Sequence, residues 1–186
     1  MLNERQRKQL LTLAREAIRA ALSRQPYEPP AADFDDTLRK PSGAFVTLTT
    51  EEDDLRGCIG SIEPVAPLYR AVQTSAINAA FRDPRFHPVS AEEFEKLKLE
   101  ISVMGPIERV TNIEDIVVGR DGLIISRGRQ AGLLLPQVAT DYGWDRETFL
   151  RQTCVKAGLP QDAWKMPDTT IEKFSAEVFG EEELSR

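Results

Sequence analysis

A cysteine flanked by glycines lies in the stretch LRGCIGSIEP, residues 55–64. If this stretch is a β-strand, Arg56 and Cys58 project from the same face with Cα atoms about 6.6 Å apart, because side chains alternate along a strand. A guanidinium at that spacing favours the thiolate, the nucleophilic form of cysteine. Gly57 and Gly60 have no side chain, so a ligand can approach the backbone there. The stretch therefore predicts a site centred on Cys58 and Arg56.

The alternative for Cys58 is a structural one. Most free cysteines are buried and behave as small, inert hydrophobic residues. In that case Arg56 and the glycines would act without the thiol. Cys154, which follows Leu150 by four residues on a predicted helix, has no charged or glycine-rich surroundings and is predicted to be a core residue.

A second group of charged side chains lies in NAAFRDPRFHP, residues 78–88. Asp83 and Arg85 flank a proline, so the loop is stiff and holds both charges at fixed positions. His87 is the only histidine, and a zinc site needs several ligands at suitable spacing, so no metal site is predicted. A Cys58–His87 dyad is conceivable if the loop folds back, but we favour a surface position for His87. For Asp83 and Arg85, loop anchoring and a functional role remain equally open.

A third polar group comes from LKLEISVM, residues 97–104, where apolar and polar residues alternate as in a half-buried strand. Glu100 and Ser102 share the polar face, which opens either to solvent or to a cleft. A carboxylate such as Asp83 or Glu100 transfers protons well at neutral pH only if burial brings its pKa toward neutrality.

The elements that must position these side chains follow from hydrophobic spacing and turn residues. Asn3 and Gln6 form a capping-box pattern at the start of a helix with one apolar stripe. Four prolines in residues 26–43 predict an extended loop without a regular element. Residues rich in β-branched side chains predict strands at 44–50 and 55–61, which a polar turn joins into a hairpin.

A helix is predicted from Pro67 to Phe81, ending near Asp83 because the following proline disfavours helical geometry. Residues 122–135 are predicted to form two strands joined through Gly128 and Gly132. Two helices follow, one over residues 136–142 and one capped by Asp145. The alternation of Phe174, Ala176 and Val178 predicts a last strand. Strands mostly return without helical crossovers. The predicted fold class is therefore α+β, with a mostly antiparallel sheet flanked by helices.

Length and charge restrict the class of protein. A chain of 186 residues suits a single domain over residues 1–186, arranged in two lobes whose boundary the sequence does not locate. The formal net charge of −6 argues against nucleic-acid binding, which needs a concentrated positive surface. The sequence has no signal-peptide pattern and no apolar run near the ~20 residues that cross a bilayer. We therefore expect a cytoplasmic protein with reduced thiols and no membrane partner.

Several segments in order, "GAFVTL", "LRGCIGSIEP", "NAAFRDPRF", "LEISVM", "DGLIIS", "GLLLPQVA" and "CVKAGLP", resemble the AMME chromosomal-region family, the A component of the Amme–Memo–RadiSam system. The resemblance covers residues from about 10 to 180 and includes the signature LRGCIG at 55–60. It implies two unequal subdomains with a cleft beside the signature. It also implies association with a Memo-like protein and a radical-SAM protein.

The family pattern also implies site residues, with His87 at a position where relatives often carry another residue. Carried over position by position, the motif marks Arg56, Gly57, Cys58, Gly60, Asp83, Arg85, Phe86, Glu100 and Ser102. Memo-like proteins resemble extradiol dioxygenases, which suggests chemistry in the system without assigning it to this component. The resemblance supplies neither a settled activity nor a cofactor, so the cofactor stays unknown.

Two functional hypotheses follow. In the enzymatic one, the catalytic residues are Cys58, Arg56, Asp83 and Glu100, and the ligand-binding residues are Gly57, Gly60, Arg85 and Ser102. In the other, the chain is a non-catalytic binding or adaptor module for an anionic ligand or a partner protein, and Cys58 is structural. Arg56 and Arg85 suit either, because guanidinium groups bind carboxylate or phosphate through paired hydrogen bonds.

Overall fold

The computed structural model describes residues 1–181. Its helices are α1 Glu4–Leu22, α2 Asp36–Arg39, α3 Leu68–Phe81, α4 Ala91–Phe94, α5 Pro136–Asp141 and α6 Arg146–Lys156. Its strands are β1 Ala44–Thr49, β2 Leu55–Ser61, β3 Lys98–Arg109, β4 Asp121–Arg127, β5 Gln130–Leu134 and β6 Thr170–Gly180. Strand β1 pairs antiparallel with β2 and β3, and β4 pairs antiparallel with β5 and β6. The α+β prediction is confirmed.

The chain forms two compact units, one from residues 1–104 with the described residues from 177 onward, the other from residues 105–176. The long strands β3 and β6 contribute residues to both units. No helix within residues 1–181 has the length and apolar character needed to cross a membrane.

The first unit is built on the strand order β2-β1-β3, followed by the end of β6. Helix α3 packs on β1 and β2, and α1 packs on α3. The capping box of Asn3 and Gln6 is confirmed at the start of α1, and the apolar stripe of that helix is buried. The core is filled mainly by aliphatic side chains, among them Leu10, Ile18, Val46, Leu48, Val72, Leu99 and Ile101.

The pairing of β1 with β2 contains an irregularity at Arg56. Leu48 pairs with Gly57 and Thr49 pairs with Leu55, so Arg56 is an extra residue without a partner in β1. Such a bulge shifts the alternation of side chains by one position. A regular strand over residues 55–61 would place Leu55 on the same face as Ile59; with the bulge Leu55 leaves that face and is 41% exposed.

The segment predicted as an extended loop, residues 26–43, contains two short elements. A 3-10 turn covers Ala31–Asp33, and α2 follows it. The carboxylate of Asp35 accepts a hydrogen bond from the Leu38 backbone N–H at 3.0 Å, and Leu38 is fully buried. The prolines did not prevent a helix because none of them lies inside it.

The second unit has the start of β6 beside β4, and β4 beside β5. Helices α5 and α6 cover β4 and β5 around a core of its own, which includes Leu123, Ile125, Phe149, Leu150 and Cys154. Gly128, with a φ of 61°, turns the hairpin as predicted, whereas Gly132 lies inside β5 rather than in the connection.

The last strand also departs from its predicted pattern. Phe174 is buried, but Val178 is 37% exposed and Phe179 takes the buried position. Because β6 serves both units in turn, one alternating face does not extend along its whole length.

Candidate functional site

Cys58 lies in the middle of β2, on the face of the first unit's sheet that is turned away from α3. Its pairing partner in β1 is Thr47, and Thr47 pairs on its other side with Glu100 in β3. Side chains of paired residues share a face, so these three form one row across the sheet. The adjacent row joins Gly60 and Ser102 through a shared β1 partner, Phe45. The register thus brings four of the predicted site residues onto one face.

The thiol of Cys58 is half-buried and accepts a hydrogen bond from the hydroxyl of Thr47, with 3.3 Å between Oγ1 and Sγ. This contact holds the sulfur at a fixed place in the row. Thr47 was missed by sequence reasoning, because the bulge makes the register of the hairpin unreadable from its two strand patterns. Cys154 is fully buried, as predicted, and burial raises the pKa of its thiol.

Asp83 and Arg85 are brought to the outer edge of β2, directly at Cys58. The carboxylate of Asp83 accepts a hydrogen bond from the Cys58 backbone N–H at 2.9 Å. The Nη2 atom of Arg85 lies 3.5 Å from the Cys58 carbonyl oxygen. The two side chains therefore occupy the peptide groups that an edge strand otherwise leaves unpaired.

The two charges also bind each other. Asp83 is 4% exposed and accepts hydrogen bonds from Arg85 Nε at 2.9 Å, Nη2 at 2.7 Å and the backbone N–H at 3.1 Å. The hydrogen bonds from the Arg85 side chain, with the backbone donors, hold the pKa of Asp83 well below its usual range despite burial. This direction is opposite to the one that proton transfer at neutral pH requires.

Arg56 lies against the segment that contains α4. Its Nε atom contacts Glu93 Oε1 at 2.5 Å, and its Nη2 atom donates to Glu93 Oε2 at 3.1 Å and to the His87 carbonyl at 2.9 Å. This ion pair lowers the pKa of Glu93. No hydrogen bond joins Arg56 to the Cys58 sulfur in the described chain, so the structure supplies no direct contact by which Arg56 tunes the thiol. The Nη1 atom of Arg56 is buried without a partner among residues 1–181.

Phe86 connects the two arginines. Its ring centroid is 5.7 Å from Arg56 Cζ and 5.4 Å from Arg85 Cζ, within the range of cation–π attraction. The side chain of His87 is exposed, as expected, and only its carbonyl takes part in the cluster. Residues 1–181 contain no group of three or more His, Cys, Asp or Glu side chains that could hold a metal ion.

The two glycines are explained by packing inside the protein. A Cβ atom on Gly57 would lie 2.2 Å from the Ala79 carbonyl oxygen of α3. A Cβ atom on Gly60 would lie 2.2 Å from the Ala44 carbonyl oxygen and 2.5 Å from the Phe45 ring. Neither position has the open space above the backbone that the sequence suggested for a ligand.

The remaining predicted residues differ in access. Glu100 is exposed at its end of the row, whereas Ser102 is 2% exposed. The polar face around Cys58 therefore offers a half-buried thiol, an exposed carboxylate and the half-exposed guanidinium of Arg85.

Comparison with known proteins gives a consistent result. The AMMECR1 family model matches residues 11–179. Protein TK0174 of Thermococcus kodakarensis is 46% identical, over 93% of this chain and 89% of its own. A protein of Aquifex aeolicus is 43% identical, over 95% and 93%. The crystal structure of the uncharacterized protein PH0010 from Pyrococcus horikoshii superposes with a TM-score of 0.86 at 46% identity, covering 93% of this chain and 90% of that one.

Proposed function

Since this chain belongs to the AMMECR1 family, whose named relatives carry no stated activity, we propose that its function resides at the polar face around the LRGCIG segment. The proposed function is that of a cytoplasmic domain that binds a small anionic ligand beside Cys58, with the thiol as the reactive group. Arg56 and Arg85 would supply the positive charges. A Memo-like protein and a radical-SAM protein would supply or consume that ligand.

The observation that carries this proposal is the hydrogen bond from the Thr47 hydroxyl to the half-buried sulfur of Cys58. A thiol held in place by a donor and reachable from solvent has the setting of a nucleophile, unlike one enclosed by hydrocarbon. Asp83 and Arg85 bind the peptide groups of Cys58 and fix the backbone from which the sulfur projects, while the Thr47 hydroxyl contacts the sulfur itself. Such preorganisation is what a reactive group needs.

The hydrogen-bond donors that remain on the two arginines support a ligand with acceptor groups. Each arginine uses its Nε and Nη2 atoms for a carboxylate of the protein itself. The Nη1 atoms are the donors that remain, and that of Arg56 has no partner within the described residues. An unsatisfied buried donor is costly, so an acceptor group at this place would be stabilising.

The test is alkylation of the native protein with iodoacetamide at neutral pH, followed by mass spectrometry of each cysteine. We expect Cys58 to react in the folded protein at least as fast as in the chain unfolded by urea. Cys154, which is fully buried, should react only after unfolding and serves as the internal control. A folded-state rate for Cys58 far below its unfolded-state rate would leave the thiol without a chemical role.

A second candidate function is a non-catalytic adaptor. It is favoured by the observation that both arginines are already paired with carboxylates and both glycines are filled by packing. In that case Cys58→Ser leaves partner affinity unchanged, whereas Arg85→Ala weakens it. Co-purification with the Memo-like protein measures both effects, and loss of the complex in Cys58→Ser alone would exclude the adaptor.

A further inference from the structure

A groove of about 690 Å³ lies in the first unit between α1 and the segment of residues 27–34. Its volume falls in the range of about 300 to 1,000 Å³ that small-molecule sites occupy. It shares no lining residue with the face around Cys58, so an occupant here would be independent of the function proposed above.

The far wall of the groove is fixed in place by side chains of the helices. Gln9 of α1 donates to the Asp33 carbonyl at 2.7 Å, and Gln73 of α3 donates to the Tyr27 carbonyl at 2.8 Å. Gln6 donates to the Asp35 carboxylate at 2.7 Å. Three tethers along one segment keep the groove open without a ligand, which reduces the ordering cost of binding.

The groove combines an aromatic wall with unpaired cations. Tyr27 and Phe34 line it. Tyr27 is partly exposed, whereas Phe34 stacks on Tyr69 with ring centroids 4.2 Å apart and is 4% exposed, so it presents only an edge to the groove. Arg5 and Lys8, one helical turn apart on α1, are exposed and form no ion pair within residues 1–181. Most other arginines of this unit are paired with carboxylates of the protein, so two adjacent free cations distinguish this wall.

Two acidic residues also line the groove and restrict where an anion can sit. Glu4 lies on α1 beside Arg5, and Asp33 lies on the opposite segment. Burial, together with the charges of Glu16 and Asp33, raises the pKa of Tyr27, so its phenol stays protonated and able to donate. The helix side thus carries both cations of the groove with one carboxylate, Glu4, and the segment side carries Tyr27 and the second carboxylate, Asp33.

We propose that this groove is a ligand site for a small organic anion with a flat apolar body. The anionic group binds to Arg5 and Lys8 on α1, and the apolar body packs on the partly exposed Tyr27 and Pro29, over the edge of Phe34. A carboxylate, a sulfonate and a phosphate ester share this chemistry.

The probe is 8-anilinonaphthalene-1-sulfonate, a sulfonate with an aromatic body that fluoresces when it is bound. We expect one saturable site on the native protein. Arg5→Glu and Lys8→Glu should each raise the dissociation constant about tenfold or more, since a hydrogen bond to a charged group is worth that much in affinity. Asp33→Asn, which removes a repelling charge, should lower it.

Three controls separate this site from other causes. Lys40→Glu makes the same charge change at an exposed lysine outside the groove and should leave the dissociation constant unchanged. Cys58→Ser should also bind the probe normally, which keeps the result separate from the reactivity of the thiol. Circular dichroism verifies that each variant is folded. Absence of binding, or equal binding by Arg5→Glu, Lys8→Glu and Lys40→Glu, would overturn the proposal.

Discussion

The two units of the molecule share three features: an end strand with a glycine packed under a helix, a buried aspartate paired with an arginine, and one cysteine. Each has a strand at one end of its strand order, β2 or β5, with a glycine beneath a helix. Each also buries one aspartate that is bound by a nearby arginine: Asp83 with Arg85, and Asp121 with Arg120. The cysteines differ: Cys58 lies on a strand and is half-buried, whereas Cys154 lies on helix α6 and is fully buried in the core.

The aspartates differ in what they connect. Asp121 accepts a hydrogen bond from the Val117 N–H at 2.9 Å and so closes a local turn of five residues, 117–121. Asp83 accepts one from Cys58, which is 25 residues away in sequence and belongs to a strand. The same kind of ion pair therefore stabilises a turn in one unit and holds the peptide group of Cys58, in a distant strand, in the other. This contrast can be tested by parallel substitutions.

The largest effect is expected from removing the carboxylates. Asp83→Ala and Asp121→Ala should each lower the free energy of unfolding by about 2 to 4 kcal/mol, because each removes several hydrogen bonds to a buried carboxylate, from a backbone N–H and from an arginine that stays partly exposed. Urea titration measures this loss. Only Asp83→Ala should also change the alkylation rate of Cys58 in the folded protein. An equal change in Asp121→Ala would mean that global loosening, not local support, controls the thiol.

The glycines test whether the two edge strands are equally tightly packed. A Cβ at Gly57 would lie 2.2 Å from the Ala79 carbonyl oxygen, and one at Gly132 would lie 2.3 Å from the Ala157 nitrogen. Both contacts are with backbone, which cannot rotate away. Gly57→Ala and Gly132→Ala should therefore each lower the free energy of unfolding, measured by urea titration, by about 1 to 3 kcal/mol. Gly128→Ala controls for a glycine with open space, although its φ of 61° adds strain.

The aspartates also determine the response to acid. The pKa of Asp83 is lowered chiefly by hydrogen bonds from Arg85, and that of Asp121 is lowered by Arg120 and the Val117 N–H against the effect of burial. A carboxyl whose pKa is lower in the folded state stabilises the fold above its unfolded pKa, about 3.9, and loses this contribution as pH falls toward the folded value. Stability should decline below about pH 4, and less steeply in Asp83→Asn or Asp121→Asn. Thermal melts between pH 7 and pH 2 measure the slope; an unchanged slope in both variants would contradict the assignment.

Much of the fold could be predicted because its signals are local. The capping box at Asn3, the hairpin around residues 50–54 and the glycine turn at Gly128 each depend on a few neighbouring residues. The bulge at Arg56 does not, since it depends on how β1 pairs with β2. It exposes Leu55 and leaves Arg56 against Glu93, two outcomes that the strand pattern alone could not give.

The sequence indicated which residues lie near Cys58, but not which of their atoms make contact. Cys58, Asp83 and Arg85 do lie together, but the contact runs through the backbone of Cys58 rather than its sulfur. The donor to the sulfur is Thr47, an ordinary strand residue by type. Which threonine of a strand meets a given partner depends on the register between strands, and the composition of a single strand does not carry that information.

The smallest effect on stability, and the sharpest on chemistry, is expected at the threonines beside the two cysteines. Thr47→Val removes the hydroxyl that contacts Cys58 while keeping the shape of the side chain. It should therefore lower the free energy of unfolding by less than about 1 kcal/mol. It should nevertheless slow the alkylation of Cys58 several-fold at neutral pH, and Thr47→Ser should restore the rate. Thr153, whose hydroxyl donates to the Phe149 carbonyl at 2.7 Å, adjoins Cys154 in sequence and is the matched position in the other unit. Thr153→Val should leave Cys58 unaffected. If Cys58 is alkylated at the same rate in Thr47→Val as in the unchanged protein, the hydroxyl of Thr47 only fills space. The two cysteines then differ in their exposure to solvent alone.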